Sequence, residues 1–414
     1  MTEAPASAAA EWRAYPMLPI AAALGYATSV IHIYGLGPFI LPVAEDFGWS
    51  RTKVTFGLTI ATLVQAVGGI AIGLAVDRFG PRRFGVAGIA LICAAFALLG
   101  TATGEAWNWY LLWGLIALTA LPVQASVWTS AVASRFHASR GLAFAVTLCG
   151  ASVAISVFPL MGTELIGRFG WRSAVLWMAV VWGAVTLPVI YLFFRGAYDG
   201  PTRKRGPDKA AKSERTERNL PGHDLRPALF SLVYLRLLVA SLFFTFTIIG
   251  LVVHFVPILV DRGADPVEAA GIASVIGIFS IVGRLGTGLL LDRFPGSLVG
   301  AVVFMLPVGG CLILLLADSS FAALAIAAAF IGLTLGSEID VVVYLVSRHF
   351  GLRNFGGLYG GLLAALSVGT ALGPLAAAAV YDGTNSYAGF LWGTFGMMAV
   401  ASLALLTLPR RGAY

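Results

Sequence analysis

From Met17 onward the chain alternates long apolar runs with short polar breaks. A helix rises about 1.5 Å per residue, so roughly 20 apolar residues cross the ~30 Å of hydrocarbon in a bilayer. Twelve runs reach that length: 17–43, 53–76, 84–103, 107–133, 140–165, 172–194, 230–259, 267–291, 297–316, 320–346, 355–380 and 387–408. They predict an all-α membrane protein of twelve transmembrane helices. The longest polar break divides them six and six. Between Arg195 and Arg226 it carries nine basic and five acidic residues with Pro201, Pro207 and Pro221, a composition that cannot bury a core. The predicted organisation is an N-terminal tail (1–16), a first six-helix bundle (17–194), a linker (195–229), a second bundle (230–408) and a C-terminal tail (409–414).

The two halves repeat each other. Gly73, Asp77, Arg78 and Phe79 return as Gly288, Asp292, Arg293 and Phe294 at a shift of 215 residues. The same register pairs Gly35 with Gly250, Pro42 with Pro257, Pro159 with Pro374, and Leu176-Trp177 with Leu391-Trp392. One offset holding over so many positions implies two pseudo-symmetric bundles. Pro38, Pro42, Pro159, Pro257 and Pro374 fall within the spans, where they suit helices that bend or slide.

The run Gly73-x-x-x-Asp77-Arg78-x-Gly80-x-Arg82-Arg83 resembles the signature between helices two and three of the major facilitator superfamily. Its copy at Gly288, Asp292 and Arg293 is truncated. The resemblance implies the twelve-helix fold of that superfamily and a charge cluster that locks one conformation by charge-assisted bonds. Setting topology by positive charge is the alternative role. A narrower resemblance is to the bacterial oxalate/formate exchanger and monocarboxylate porter branch. It rests on Phe47-Gly48-Trp49-Ser50-Arg51, the Gly283-Arg284 pair, and Ser347-Arg348-His349-Phe350-Gly351.

Composition and charge narrow the classes. With 58% hydrophobic and 11% charged residues, the chain has more apolar sequence than a soluble domain uses. The net charge of +7 invites a nucleic-acid reading, yet of the 27 Lys and Arg, 21 fall on one side of the predicted topology, 5 on the other and 1 inside the membrane. That is the positive-inside pattern, which places both termini and the linker in the cytoplasm and implies no nucleic-acid partner. Cys93, Cys149 and Cys311 lie in apolar runs without metal spacing. There is no phosphate-binding glycine motif and no His/Asp metal cluster, so no cofactor, no metal and no enzyme activity are expected.

The charges inside the spans carry the candidate chemistry. Arg284 lies eight residues, about 12 Å, before Asp292 in helix eight, where an arginine costs roughly 2.5–3.5 kcal/mol to insert. In the resembling branch an arginine here anchors the substrate carboxylate, which a guanidinium grips with two parallel donors. A structural ion pair is the alternative. Glu338 and Asp340 sit at similar depth on helix ten, about 200° apart. Ser337, Asp340 and Tyr344 form one polar stripe. The branch resemblance turns that stripe to the central cavity, making Asp340 the nearest acidic partner of Arg284, while Glu338 meets a neighbouring helix. Asp340 would then take a coupling proton or hold a permanent salt bridge, with Glu338, His254 and His32 as further proton-handling candidates. Tyr26, Tyr34, Gln65, Gln124, Trp128, Ser280 and Tyr344 are the remaining cavity-lining candidates.

The chain departs from its branch. Ala364 to Ser367 stand where the oxalate exchanger carries a second cation, so a compact dianion is poorly served. Ser280 and the Pro38-Phe39 region replace an acid and a lysine of the animal porters. The reading is a monomeric secondary transporter of the bacterial inner membrane, whose partners are the lipid bilayer, a small organic monocarboxylate and a proton. An importer or exporter of a larger amphipathic or aromatic compound is the rival within the class. A non-transporting membrane sensor is the rival outside it, although no soluble output domain is present.

Overall fold

The computed structural model describes residues 7–196, 224–317, 320–351 and 353–409, without the side chains of 70, 71, 73, 74, 77, 78, 355 and 356. Most of the predicted linker, 197–223, lies outside the described residues. Two compact units emerge: 1–202 with 265–277, and 203–264 with 278–414.

In the first unit a short helix, α1 (Ala8–Ala14), precedes a first span broken into α2 (Met17–Ser29), α3 (Ile31–Tyr34), a 3-10 turn at Gly37–Phe39, and α4 (Ile40–Phe47). The interruption falls at Val30 and at the Gly37-Pro38 turn, so the expected single helix over 17–43 is corrected to a discontinuous one. There follow α5 (Arg51–Phe79) and α6 (Pro81–Leu98). The turn between them is Gly80 alone, held at φ 84°, a region open to glycine. Asp77 and Arg78 thus belong to the last turn of α5 rather than to a loop. The fourth span is α7 (Ala106–Ala120) and α8 (Ala125–Ala133), parted by a 3-10 turn at Leu121–Val123. Arg140–Phe193 is one 54-residue run, α9, which turns at Gly170 (φ 72°) and so supplies two spans.

The second unit holds α10 (Leu225–Leu229), α11 (Leu232–Asp261), most of α12 (Pro266–Leu291), α13 (Gly296–Leu316), α14 (Phe321–Phe350), α15 (Phe355–Thr384) and α16 (Ala388–Leu406). Serines start several helices: Ser50, Ser231 and Ser320 accept from the backbone N–H three residues on, satisfying a donor that the first turn leaves free. Among the described residues nine helices are long and apolar enough to cross a membrane. The turn in α9, the long α5 and the broken first span complete twelve spans in two groups of six. Of the prolines expected to bend the chain, Pro38 lies in the break of the first span, whereas α9, α11 and α15 run through Pro159, Pro257 and Pro374 without interruption.

The same packing recurs in each unit. α2 lies on α9 so closely that a Cβ on Gly150 would stand 2.0 Å from the Ala23 carbonyl oxygen, and α11 lies on α15 with Gly373 as close, 1.9 Å, to that of Phe246. Small residues let membrane helices meet backbone to backbone, which is what packing must achieve where lipid is as apolar as leucine. Large apolar residues left outside, such as Val185, Leu289 and Leu403, suit a lipid-facing surface.

The N-terminal segment is a docked helix rather than a bare tail. Ser7 caps α1, and the buried Glu11 accepts from the backbone N–H groups of His137, Ala138 and Ser139 and from the Ser139 hydroxyl. These donors, Ala138 first, hold the Glu11 carboxyl down to about 2. Trp12 and Tyr15 close on Phe136, and Arg135 donates to the Tyr15 hydroxyl and to the Gly196 carbonyl.

Candidate functional site

The second unit is built around the crossing of α12 and α14. Two glycines set it: a Cβ on Gly336 would stand 1.8 Å from the Ser280 carbonyl oxygen, and one on Gly283 would stand 2.1 Å from that of Leu333. At such approach only glycine fits. The Ser337 hydroxyl lies against the Gly283 carbonyl at 3.1 Å and takes a 2.6 Å hydrogen bond from Thr287, both buried between the helices. Thr287 is a contributor that the sequence did not single out, because a threonine in an apolar helix usually satisfies itself on its own backbone.

This crossing delivers Arg284 directly to α14. Its Nη1 stands 3.5 Å from Asp340 Oδ1, with side-chain exposures of 10% and 32%. Glu338 is buried, and one turn before it on α14 Thr334 donates to the Val303 carbonyl of α13 at 3.1 Å. Arg284 Nε and Nη1, Asp340 Oδ2 and Glu338 Oε1 are all buried without a hydrogen-bond partner. An apolar surround makes unmet donors and acceptors costly. The cluster therefore has spare hydrogen-bonding capacity on both the cationic and anionic sides, and a guanidinium so placed can take a carboxylate.

The polar stripe on α14 is real but does not form one wall. Ser337 and Asp340 meet α12, while the Tyr344 ring sits on Gly296 at the start of α13. Ser280 is buried in the crossing itself. His254, on α11, is hydrogen bonded through both ring nitrogens, to the Tyr387 hydroxyl at 2.8 Å and the Pro374 carbonyl at 2.9 Å. It ties α11 to α15.

In the first unit, Tyr34 is half-buried on α3. Gln124 donates to the Gln65 carbonyl at 3.0 Å, and Gln65 meets His32 at 2.9 Å. Trp128 is wholly buried against Gly25, Gly85 and Phe194, and its indole N–H is spent on the Val123 carbonyl. It is a packing plug, which corrects its place among the cavity-lining candidates. A gap of ≈ 10 Å³ bounded by Phe39, Trp109, Trp113 and Trp171 is no larger than one water and is apolar in its exposed lining. It is a packing defect.

Of the charge cluster at the α5–α6 turn, the side chains of Gly73, Asp77 and Arg78 lie outside the described residues. Arg82 donates to the Tyr191 carbonyl at 2.8 Å, and Arg83, Asp292 and Arg293 are exposed.

Comparison with known proteins agrees with this architecture. The profile of the Major Facilitator Superfamily matches residues 22–318. Monocarboxylate transporter 13 of Rattus norvegicus is 25% identical over 378 residues, covering 90% of this chain and 84% of the relative. The 3-(3-hydroxy-phenyl)propionate transporter of Escherichia coli (strain K12) is 24% identical over 380 residues, covering 89% and 88%. Among solved structures, a bacterial homolog to the human lysosomal transporter Spinster superposes with a TM-score of 0.67 at 18% identity, covering 96% of this chain and 98% of that one.

Proposed function

The chain belongs to the major facilitator superfamily of membrane transporters, and on that premise we propose that it carries a small organic monocarboxylate by alternating access, coupled to a proton. The observation that carries this reading is Arg284, a guanidinium buried in a membrane span with two donor nitrogens unmet and a carboxylate 3.5 Å away. A buried charge of this kind is a functional site by default. A substrate carboxylate and Asp340 would compete for the same donors, so that Asp340 takes a proton when the substrate holds Arg284, and the pair reforms when it leaves. The chain sits in a bacterial inner membrane with its linker and both ends in the cytoplasm, as the distribution of basic residues implies.

Counterflow in proteoliposomes with a panel of labelled acids tests the substrate class. Arg284→Lys should lose most binding, since an ammonium cannot reproduce the fork. Asp340→Asn should still exchange substrate yet lose accumulation driven by a pH gradient. Normal pH-driven accumulation by that variant would remove the coupling role. A larger aromatic cargo is the second reading, favoured by the phenylpropionate relative. It gains if short acids are silent and aromatic acids exchange.

A further inference from the structure

A groove of ≈ 450 Å³ runs along an exposed face of α13, wholly within the second unit. Leu298, Val302, Met305 and Gly309 recur there at helical spacing and form its bed. Ser402 and Leu406 of α16 wall one end, where the Ser402 hydroxyl donates to the Ala301 carbonyl at 3.0 Å. Phe330 of α14 walls the other, 3.6 Å from where a Cβ on Gly309 would stand. Among the described lining residues Ser402 alone has a polar side chain, and its O–H is already spent on Ala301. The groove therefore offers no donor to a ligand and suits an apolar one.

Its dimensions say which. Leu298 lies on the first turn of α13 and beside the last turn of α16, so that end opens at the membrane surface. From Leu298 to Gly309 the helix climbs about 16 Å, half of the ~30 Å of hydrocarbon in a bilayer. A groove one leaflet deep, open at the surface, matches the reach of a single acyl chain. The volume agrees, because about 30 Å³ for each water-sized group in a liquid gives room for roughly fifteen methylenes.

The head group of such a chain would lie at the surface end, and the charge there is positive. Arg236, on the second turn of α11, donates to the Thr407 carbonyl at 2.6 Å, one residue beyond Leu406. That bond uses one of five guanidinium N–H donors. Arg293, shortly before α13, and Arg348, near the end of α14, are exposed at the same end of the unit. Against them stands Asp292, while the Asp224 carboxylate is held by Arg353 at 3.0 Å. A surplus of guanidinium at head-group depth selects a lipid whose phosphate is not balanced by an ammonium of its own.

We propose that this groove binds one acyl chain of an anionic phospholipid, with the lipid phosphate at Arg236. The seated chain packs on α13, α14 and α16 together, and thus braces the second unit from outside. Occupancy is read as stability.

The experiment titrates the purified full-length protein, stripped of lipid in detergent, with palmitoyl-oleoyl phosphatidylglycerol or with the phosphatidylcholine of the same chains, and follows the unfolding midpoint. Wild type should show a saturable rise with phosphatidylglycerol. Phosphatidylcholine should need about fivefold more lipid for the same rise, the step that one basic residue makes near an anionic lipid. Arg236→Gln should bring the two lipids to within about twofold of each other while the rise itself persists. Val302→Trp sets an indole in the groove and should abolish the rise, whereas Val185→Trp, on an exposed position of α9 in the first unit, should keep it. A rise that never saturates, that survives Val302→Trp, or that is the same for both lipids in wild type overturns the proposal. Selectivity unchanged in Arg236→Gln overturns it as well. Should Val302→Trp not fold, Gly309→Leu fills the inner end of the groove and must move the preference from palmitoyl-oleoyl to dilauroyl chains; an unchanged chain preference overturns the site.

Discussion

Gly336 is the position where one added methyl group should be felt at the Arg284 cluster. In Gly336→Ala the new Cβ would begin 1.8 Å from the Ser280 carbonyl oxygen and 2.9 Å from the Arg284 backbone nitrogen, both main-chain atoms that no rotamer change can clear. To reach even 3.0 Å the two backbones must part by roughly 1.2 Å. If Arg284 moves with its backbone, the 3.5 Å pair with Asp340 lengthens to about 4.7 Å. At an effective dielectric of about 20 its Coulomb attraction falls from about 4.7 to about 3.5 kcal/mol, a loss of about 1.2. Overpacking adds about 1–3 kcal/mol, for a total of about 2–4 kcal/mol. Gly286, three residues from Gly283 on the same helix, has nothing within 4 Å of its Cβ position, so Gly286→Ala is the control. It should be neutral or gain about 0.5–1 kcal/mol from the stiffer chain. Thermal unfolding of both purified variants, with counterflow on each, measures the difference. If the two alanines behave alike in both assays, the crossing does not position Arg284 and the reasoning fails.

Other consequences are as open to test. Glu11 has its carboxyl lowered to about 2 from an ordinary 4.5, so its hold on 137–139 is fully present above pH 4.5 and lost as pH falls toward 2. Hydrogen exchange over 8–14 should rise across that window, and Glu11→Gln should raise it at neutral pH; exchange unchanged in both would dismiss the strap. Trp128→Ala should lose about 3–5 kcal/mol of stability as a large buried ring removed, whereas Trp128→Phe should keep substrate preference intact, and altered preference would return Trp128 to the binding site. A cysteine at Ser213, which lies outside the described residues, should resist impermeant maleimide in intact cells, and labelling there would reverse the proposed topology.

The spans were legible because hydrocarbon thickness imposes one length on every helix, and the repeat was legible because both halves solve the same packing problem. Arg284 and Asp340 were legible for a related reason: a charge in an apolar run is conspicuous. What did not show was governed by contacts between distant segments. Gly336 reads like any glycine in a chain that has 49, and only the approach of Ser280 gives it a task. Trp128 looked like a cavity aromatic until Gly25 and Gly85 closed on it. Val30 carries no breaker signal, and the strap formed by Glu11 depends on three backbone donors more than a hundred residues away.

The crossing also limits how the Arg284 cluster can work. Two backbones in contact at Gly283 and Gly336, tied by Ser337 and Thr287, cannot slide past each other without breaking buried hydrogen bonds. Arg284 and Asp340 therefore travel together in any motion of the second unit, and the distance between them changes only through side-chain rotation. Asp340, a third exposed, has the freedom to rotate; Arg284, at 10%, has little. On the proposed reading, an anion at Arg284 would meet a fixed cation and a movable rival, and release of Asp340 would require neither helix to shift. Glu338 is the buried member of the three. Its Oε1 has no hydrogen-bond partner, and one turn before it Thr334 donates to the Val303 carbonyl of α13. A Glu338→Gln variant is thus the one that separates the cluster's charge balance from the mobile partner's competition for Arg284.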